Sequence, residues 1–184
     1  MPPEGGAADT GMTGPHWAFS WAVYGAPGVE RACLLLQERY GVDVNVLLLA
    51  LHATVCRGAA PDRAGLAALE AAGRPLREGA VAPLRQVRRA LKRAPYGADG
   101  QALRNGVKAL ELEAEQLEQS VLAGVAATLA PRAAGAAAVA RAVVEFYAEA
   151  SEHEVALEVL ATDADAAHAI TLIAEAAATH AAAG

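Results

Sequence analysis

The stretch Gly41-Val42-Asp43-Val44-Asn45-Val46-Leu47-Leu48-Leu49-Ala50-Leu51-His52-Ala53-Thr54-Val55-Cys56-Arg57-Gly58 decides the fold class. Asp43 is placed to cap a helix, its carboxylate accepting backbone N–H groups and complementing the positive end of the helix dipole. From Val44 through Leu51 and Val55 the residues are apolar on nearly every side, as expected of a central helix buried all round. The run is too short to cross a bilayer and carries Asn45 and His52, so it reads as a core helix and no membrane partner is expected.

Working upstream, Val29, Cys33, Leu36 and Tyr40 form one stripe of a preceding helix, and Gly41 suits the left-handed position past its end. Trp17, Trp21 and Tyr24 recur about once per turn on a short first helix that Pro27-Gly28 breaks. Residues 1–15 are a Gly- and Pro-rich flexible leader without the basic and apolar regions of a secretory signal.

Downstream, Arg57-Gly58 and Pro61-Asp62 separate the core helix from a fourth, marked by Leu66 and Leu69 and ending near Gly73. Pro75 fits the first turn of a fifth helix that runs to Arg93. Pro95 to Gly100 reads as a turn, and the sixth and longest helix follows from about Gln101 to Leu129. Its Leu103, Val107, Leu110, Ala114, Leu117, Val121 and Gly124 alternate four and three apart, which predicts a buried bundle seam. Pro131 closes that helix. Beyond it lies an alanine-rich helical hairpin, residues 131–184, whose stretches meet near Thr162-Asp163 and whose seam holds Val139, Val143, Phe146, Ala150, Leu157, Leu160, Ile170 and Ile173. The end from Thr179 is expected to fray. Residues 16–130 form the main helical domain, with the hairpin packed on it as one compact unit.

The composition agrees with this reading. Alanine inflates a 54% hydrophobic content while aromatics supply only 4%, so the core is built from Leu, Val and close Ala contacts. With no sustained apolar and polar alternation, an all-α bundle of about seven or eight helices is predicted. The formal charge of −6 argues against a generic nucleic-acid binder. Cys33 and Cys56 are too few and too widely spaced for a disulfide framework, and read as buried free thiols of a cytoplasmic protein.

A resemblance sharpens the fold. Trp17, Tyr24, Gly28-Val29, Cys33-Leu34, Leu36-Gln37, Gly41, Asp43-Val44-Asn45 with its Leu run, Pro83-Leu84-Arg85, Arg88-Arg89, Lys92, Arg104, Lys108 and Glu111-Leu112-Glu115 belong together. On these residues the chain from about Trp17 to Leu122 resembles an uncharacterised bacterial family of short all-helical proteins, a domain of unknown function. His52 stands where that family tends to carry Trp, and Leu76-Arg77 where it usually has an aromatic. The resemblance supports the helical fold and implies no activity.

Two groups of residues are candidates for function. Asn45 and His52, seven residues apart on one side of the core helix, with Gln37 from its neighbour, would line a polar pocket for a small molecule or an active site. The plainer alternative is that Asn45 and Gln37 tie backbone groups at the Gly41 turn and that His52 is a core or rim histidine. Neither cysteine has an adjacent base that would make it a nucleophile. The second group is basic. If the fifth and sixth helices fold back on each other, Arg85 meets Glu111, whereas Arg88, Arg89, Lys92, Arg93, Arg104 and Lys108 share the tip. Such a tip suits an acidic or phosphorylated partner; the plainer alternative is that these cations pair with glutamates elsewhere in the chain. Aromatic residues are not interleaved with these charges, so specific nucleic-acid recognition is not expected.

The patterns of cofactor and metal chemistry are missing. The glycines form no phosphate loop, and there is no serine elbow or zinc signature. Glu149 with His153, and Asp165 with His168, have helical spacing but lack the matched motifs of a carboxylate-bridged site. The expectation is therefore a binding module rather than an enzyme, without cofactor, with a homo-oligomer joined through the C-terminal hairpin as a further alternative.

Overall fold

The computed structural model describes residues 14–93, 96–150 and 156–183, and these are helical with no strand beyond a single isolated bridge. The elements are α1 (Pro15–Tyr24), α2 (Val29–Tyr40), α3 (Val44–Arg57), α4 (Arg63–Leu76), a π-helical turn (Arg77–Val81), α5 (Ala82–Arg93), α6 (Gly97–Ala126), α7 (Ala136–Ala150), α8 (Ala156–Thr162) and α9 (Ala164–Ala183). The expected leader lies outside the described residues except for Gly14 and Pro15, which cap and open α1.

As predicted, α3 is the central helix. Val46, Leu47, Leu48, Leu49, Ala50 and Leu51 are consecutive buried residues, and α1, α4, α6, α7 and α9 all pack on it. Each fully buried leucine contributes about 1.5–3 kcal/mol relative to an exposed one. Asp43 caps α3, accepting from the N–H groups of Asn45 at 2.7 Å and Val46 at 3.1 Å. Gly41 ends α2 with φ of +68°, the left-handed conformation that its position implied. The α2 stripe of Val29, Cys33, Leu36 and Tyr40 is buried in full.

The C-terminal helices share the same core. Val139, Val143, Ile170 and Ile173 are buried in one cluster with α1, α2 and α3, and α9 lies along α2. Asp163 makes the expected break: it accepts from the N–H of Ala166 at the start of α9 and from Arg39 and Tyr40 of α2. Three hydrogen bonds hold Arg132 to the loop after α3, through Gly58, Ala60 and Pro61. The end expected to fray from Thr179 is helical as far as Ala183 among the described residues, with Ala177 buried and His180 against Phe19.

Three readings of the middle of the chain need correction. The fourth helix passes Gly73 and Pro75 without stopping, and the π turn joins it to α5, so α4 and α5 form one rod. Neither Pro75 nor Pro83 can donate a backbone hydrogen bond; at the π turn the N–H of Ala82 bonds instead to Arg77, five residues back. α6 begins at Gly97 rather than near Gln101 and ends at Ala126. Most of its predicted seam is turned outward: Val107 is buried as expected and Ala114 is half-buried, but Leu103, Leu110, Leu117 and Val121 are exposed, while Glu111, Glu118, Gln119 and Leu122 are buried. The inward face is the one whose carboxylates find partners on α3 and on the α4–α5 rod. Finally, Cys33 is buried but Cys56 is exposed, since the last turn of α3 runs out of the core.

Candidate functional site

Four buried polar residues, Asp43, Glu70, Glu118 and Gln119, are gathered where α3, α4, α6 and α7 meet. Arg77 opens the π turn and sends its guanidinium to Asp43 at 2.5 Å and to both oxygens of Glu70, at 2.5 and 2.9 Å. Arg74 adds a bond to Glu70 at 3.1 Å, and the Tyr147 hydroxyl of α7 donates to the same carboxylate. Burial works against the charged form of Glu70, but the bonds from Arg77 and Tyr147 outweigh it and hold the carboxyl below its ordinary value.

Beside this ion pair lies a second layer. Asn45 Nδ2 donates to Glu118 at 2.8 Å, and Gln119 Nε2 donates to Asn45 Oδ1 at 2.9 Å. Glu118 is 1% exposed, and its other oxygen has no hydrogen-bond partner among the described residues. Burial, followed by the charge of Asp43, pushes this carboxyl up to about 8. Gly73 makes the approach possible, because a Cβ there would stand 3.0 Å from Glu118 Oε1 and 3.2 Å from a Leu122 methyl.

The network continues along the α5–α6 hairpin. Arg85 donates to Glu111 at 3.1 Å and to Glu115 at 2.8 Å, so the predicted level of Arg85 with Glu111 is observed. Arg88 also binds both oxygens of Glu111. Arg88 therefore leaves the set of tip residues: it belongs to the paired base of the hairpin, because Arg85 and Arg88, one turn apart on α5, share the Glu111 carboxylate.

The other tip residues differ from it. Arg89, Lys92, Arg93 and Lys108 are exposed and make no ion pair among the described residues. Arg104 is half-buried, with Nε unpartnered among those residues. Ala94 and Pro95 of the predicted turn lie outside the described residues.

The proposed pocket does not assemble. Asn45 spends both ends of its amide on α6 rather than on the Gly41 turn, which corrects the plainer reading as well. His52 lies farther along α3 and packs its ring 5.2 Å from Phe19 and 6.5 Å from His16. Burial, with help from the charges of His16 and Arg57, lowers its pKa to about 4, so the imidazole is neutral. Gln37 is half-buried, and its carbonyl accepts from the N–H of Gly41. Two surface clefts lie elsewhere: one of about 240 Å³ includes Asp62, Arg63, Arg132, Phe146 and Glu149, and one of about 260 Å³ includes Trp17, Trp21, Leu112 and Gln116. Glu149 pairs with Arg63 in the first, while His153 lies outside the described residues.

Glu70, Arg77, Glu118 and Tyr147 were not singled out from the sequence. A signal was present for three of them: Glu70, Arg74 and Arg77 recur at four and three residues, and Glu111 and Glu118 at seven, so each set marks one face of a helix.

Comparison with known proteins gives a family but no activity. No curated protein and no solved structure matches the chain. A family described as "Protein of unknown function (DUF2390)" matches residues 15–122, which hold α1 to α5 and most of α6 with the whole buried polar network except Tyr147. The match covers more than half of the chain, and the chain belongs to this family of unknown function.

Proposed function

We propose that the protein is an interaction module that captures an acidic or phosphorylated segment of a partner at the tip of the α5–α6 hairpin. The observation that carries this reading is the division of charge along the hairpin. Arg85 and Arg88 are matched to Glu111 and Glu115, whereas Arg89, Lys92, Arg93 and Lys108 stand in solvent without a carboxylate among the described residues. Four exposed cations on one hairpin are left without ion pairs among the described residues of a chain of net charge −6, and an anionic ligand supplies the missing charge. The guanidinium groups offer paired donors that fit carboxylate and phosphate oxygens. A single exposed ring, Tyr96, lies at the tip, short of the row of rings that stacks single-stranded nucleic acid.

The test is fluorescence anisotropy with two labelled probes, an oligoglutamate and a phosphoserine peptide, at low and physiological salt. Reversal of Arg89, Lys92 and Arg93 to Glu is expected to weaken binding at least tenfold while leaving the melting temperature unchanged. Arg88→Glu serves as the contrast, since it breaks a part-buried pair and should lower the melting temperature. Equal binding by the wild type and the triple variant would refute the reading.

A further inference from the structure

We infer that the outward face of α6 is the contact surface of a two-fold homodimer in which the two α6 helices run antiparallel. Leu103, Leu110, Leu117 and Val121 are 59%, 54%, 43% and 38% exposed. At 100° per residue they fall within about 40° of one another, and Gly106 and Gly124 extend the same strip. These six positions form a continuous apolar row along a 30-residue helix whose charged side faces the core.

The occupant follows from the pattern of large and small residues. In an antiparallel pairing where residue numbers sum to 227, Leu103 of one copy meets Gly124 of the other, Gly106 meets Val121, and Leu110 meets Leu117. Each large side chain thus faces a glycine or a matching leucine. Both glycines have room for it, since a Cβ at either position would meet nothing within 4 Å. A parallel pairing would instead set glycine against glycine, leaving gaps, and would bring the two basic tips together. The antiparallel arrangement separates those tips and lays each beside the C-terminal end of the partner's α6, the negative end of its dipole.

The size of the contact sets its strength. The row from Leu103 to Gly124 is about 32 Å long at 1.5 Å per residue. Two such helices bury about 1,000 Å² in total, the lower limit for a specific interface. A concentration-dependent dimer in the micromolar range is therefore expected, not an obligate one. Glu113 flanks the row close to the two-fold axis, where it meets its own copy and opposes association.

The full chain is to be studied by sedimentation velocity over a wide concentration range. The wild type should pass from monomer to dimer, Leu110→Lys should remain monomeric, and Glu113→Gln should associate more tightly. Circular dichroism is expected to show unchanged helicity, since both positions are exposed. Gly124→Leu keeps the row apolar but fills the space that Leu103 of the other copy needs, so it should weaken the dimer. For orientation, in a Cys56→Ser background Leu103→Cys alone should not cross-link on oxidation, whereas Leu103→Cys combined with Gly124→Cys should. A wild type that stays monomeric to its solubility limit overturns the proposal. So does a dimer indifferent to Leu110→Lys, or a dimer that Leu103→Cys alone cross-links.

Discussion

Replacing Glu118 with Gln should flatten the dependence of stability on pH. Burial and the neighbouring Asp43 raise the Glu118 carboxyl from 4.5 to about 8 in the folded protein. The folded state thus holds a proton that the unfolded chain releases. The corresponding stabilisation is complete below the unfolded value of 4.5 and is lost as the pH rises through 8. At about 1.4 kcal/mol per unit the full effect reaches about 5 kcal/mol, of which about 4 falls between pH 5 and pH 8.5. Glu115, raised mainly by burial and held by Arg85, adds to the same slope. Glu70 and Glu111 are lowered instead, so their contributions are lost only on the acid side, below the ordinary carboxylate range. A glutamine at position 118 keeps an oxygen for Asn45 and offers Asp43 the hydrogen that the protonated acid would supply. Urea unfolding followed by the fluorescence of Trp17 and Trp21 should give similar stabilities for both proteins at pH 5. At pH 8.5 the variant should be more stable by about 2–4 kcal/mol, with an unchanged denaturant slope. Parallel pH profiles for the two proteins would show that Glu118 does not bind the proton, and the argument would fail.

Other changes to the network have smaller and more local effects. Tyr147→Phe removes the hydroxyl that donates to Glu70 and should cost about 1–3 kcal/mol in chemical denaturation, because Glu70 keeps its charge inside the fold. Gly73→Ala would gain helix propensity on the surface, yet here the added methyl presses on Glu118 and Leu122. A net loss of about 1–2 kcal/mol is expected, and a gain in melting temperature would contradict the close approach of α4 to α6. Asp163→Ala removes the cap of α9 together with the anchor of Arg39 and Tyr40, and should cost about 1 kcal/mol or more at neutral pH. Hydrogen bonds from Arg39, the Ala166 N–H and Tyr40 hold this carboxyl at about 2, so the difference between wild type and variant should persist at pH 4 and shrink as the pH falls through 2.

Much of the fold was legible because single residues carried local rules. Gly41 ends α2 and Asp43 and Gly58 bound α3 at the positions their chemistry dictates, and Asp163 opens α9 for the same reason that Asp43 opens α3. The two prolines misled. A helix-breaking residue signals an end only when no neighbour can re-form the hydrogen-bond ladder, and the π turn at Arg77–Val81 does so in a way that propensity does not encode. The functional residues were less legible. Asn45 was visible as an isolated polar group in an apolar helix, but its partners Glu118 and Gln119 lie more than seventy positions away. Arg88 and Arg89 look alike in sequence, and only the side of α5 that meets Glu111 separates the paired residue from the exposed one.

α6 explains why periodicity alone could not assign the inward face. It carries two faces that each satisfy a heptad, one of Leu103, Leu110 and Leu117 and one of Glu111 and Glu118. Hydrophobicity alone would bury the first. The fold buries the second because Arg85, Arg88 and Asn45 are already fixed on the surrounding elements, and each would lose its partners if the helix turned. Unpaired charges left inside the fold cost several kcal/mol each, more than the apolar surface gained by burying three leucines. With the charges satisfied inward, the leucines are left exposed on the far side of the helix. The outward leucines and the inward glutamates are thus one choice of rotation about a single axis, set by the charges.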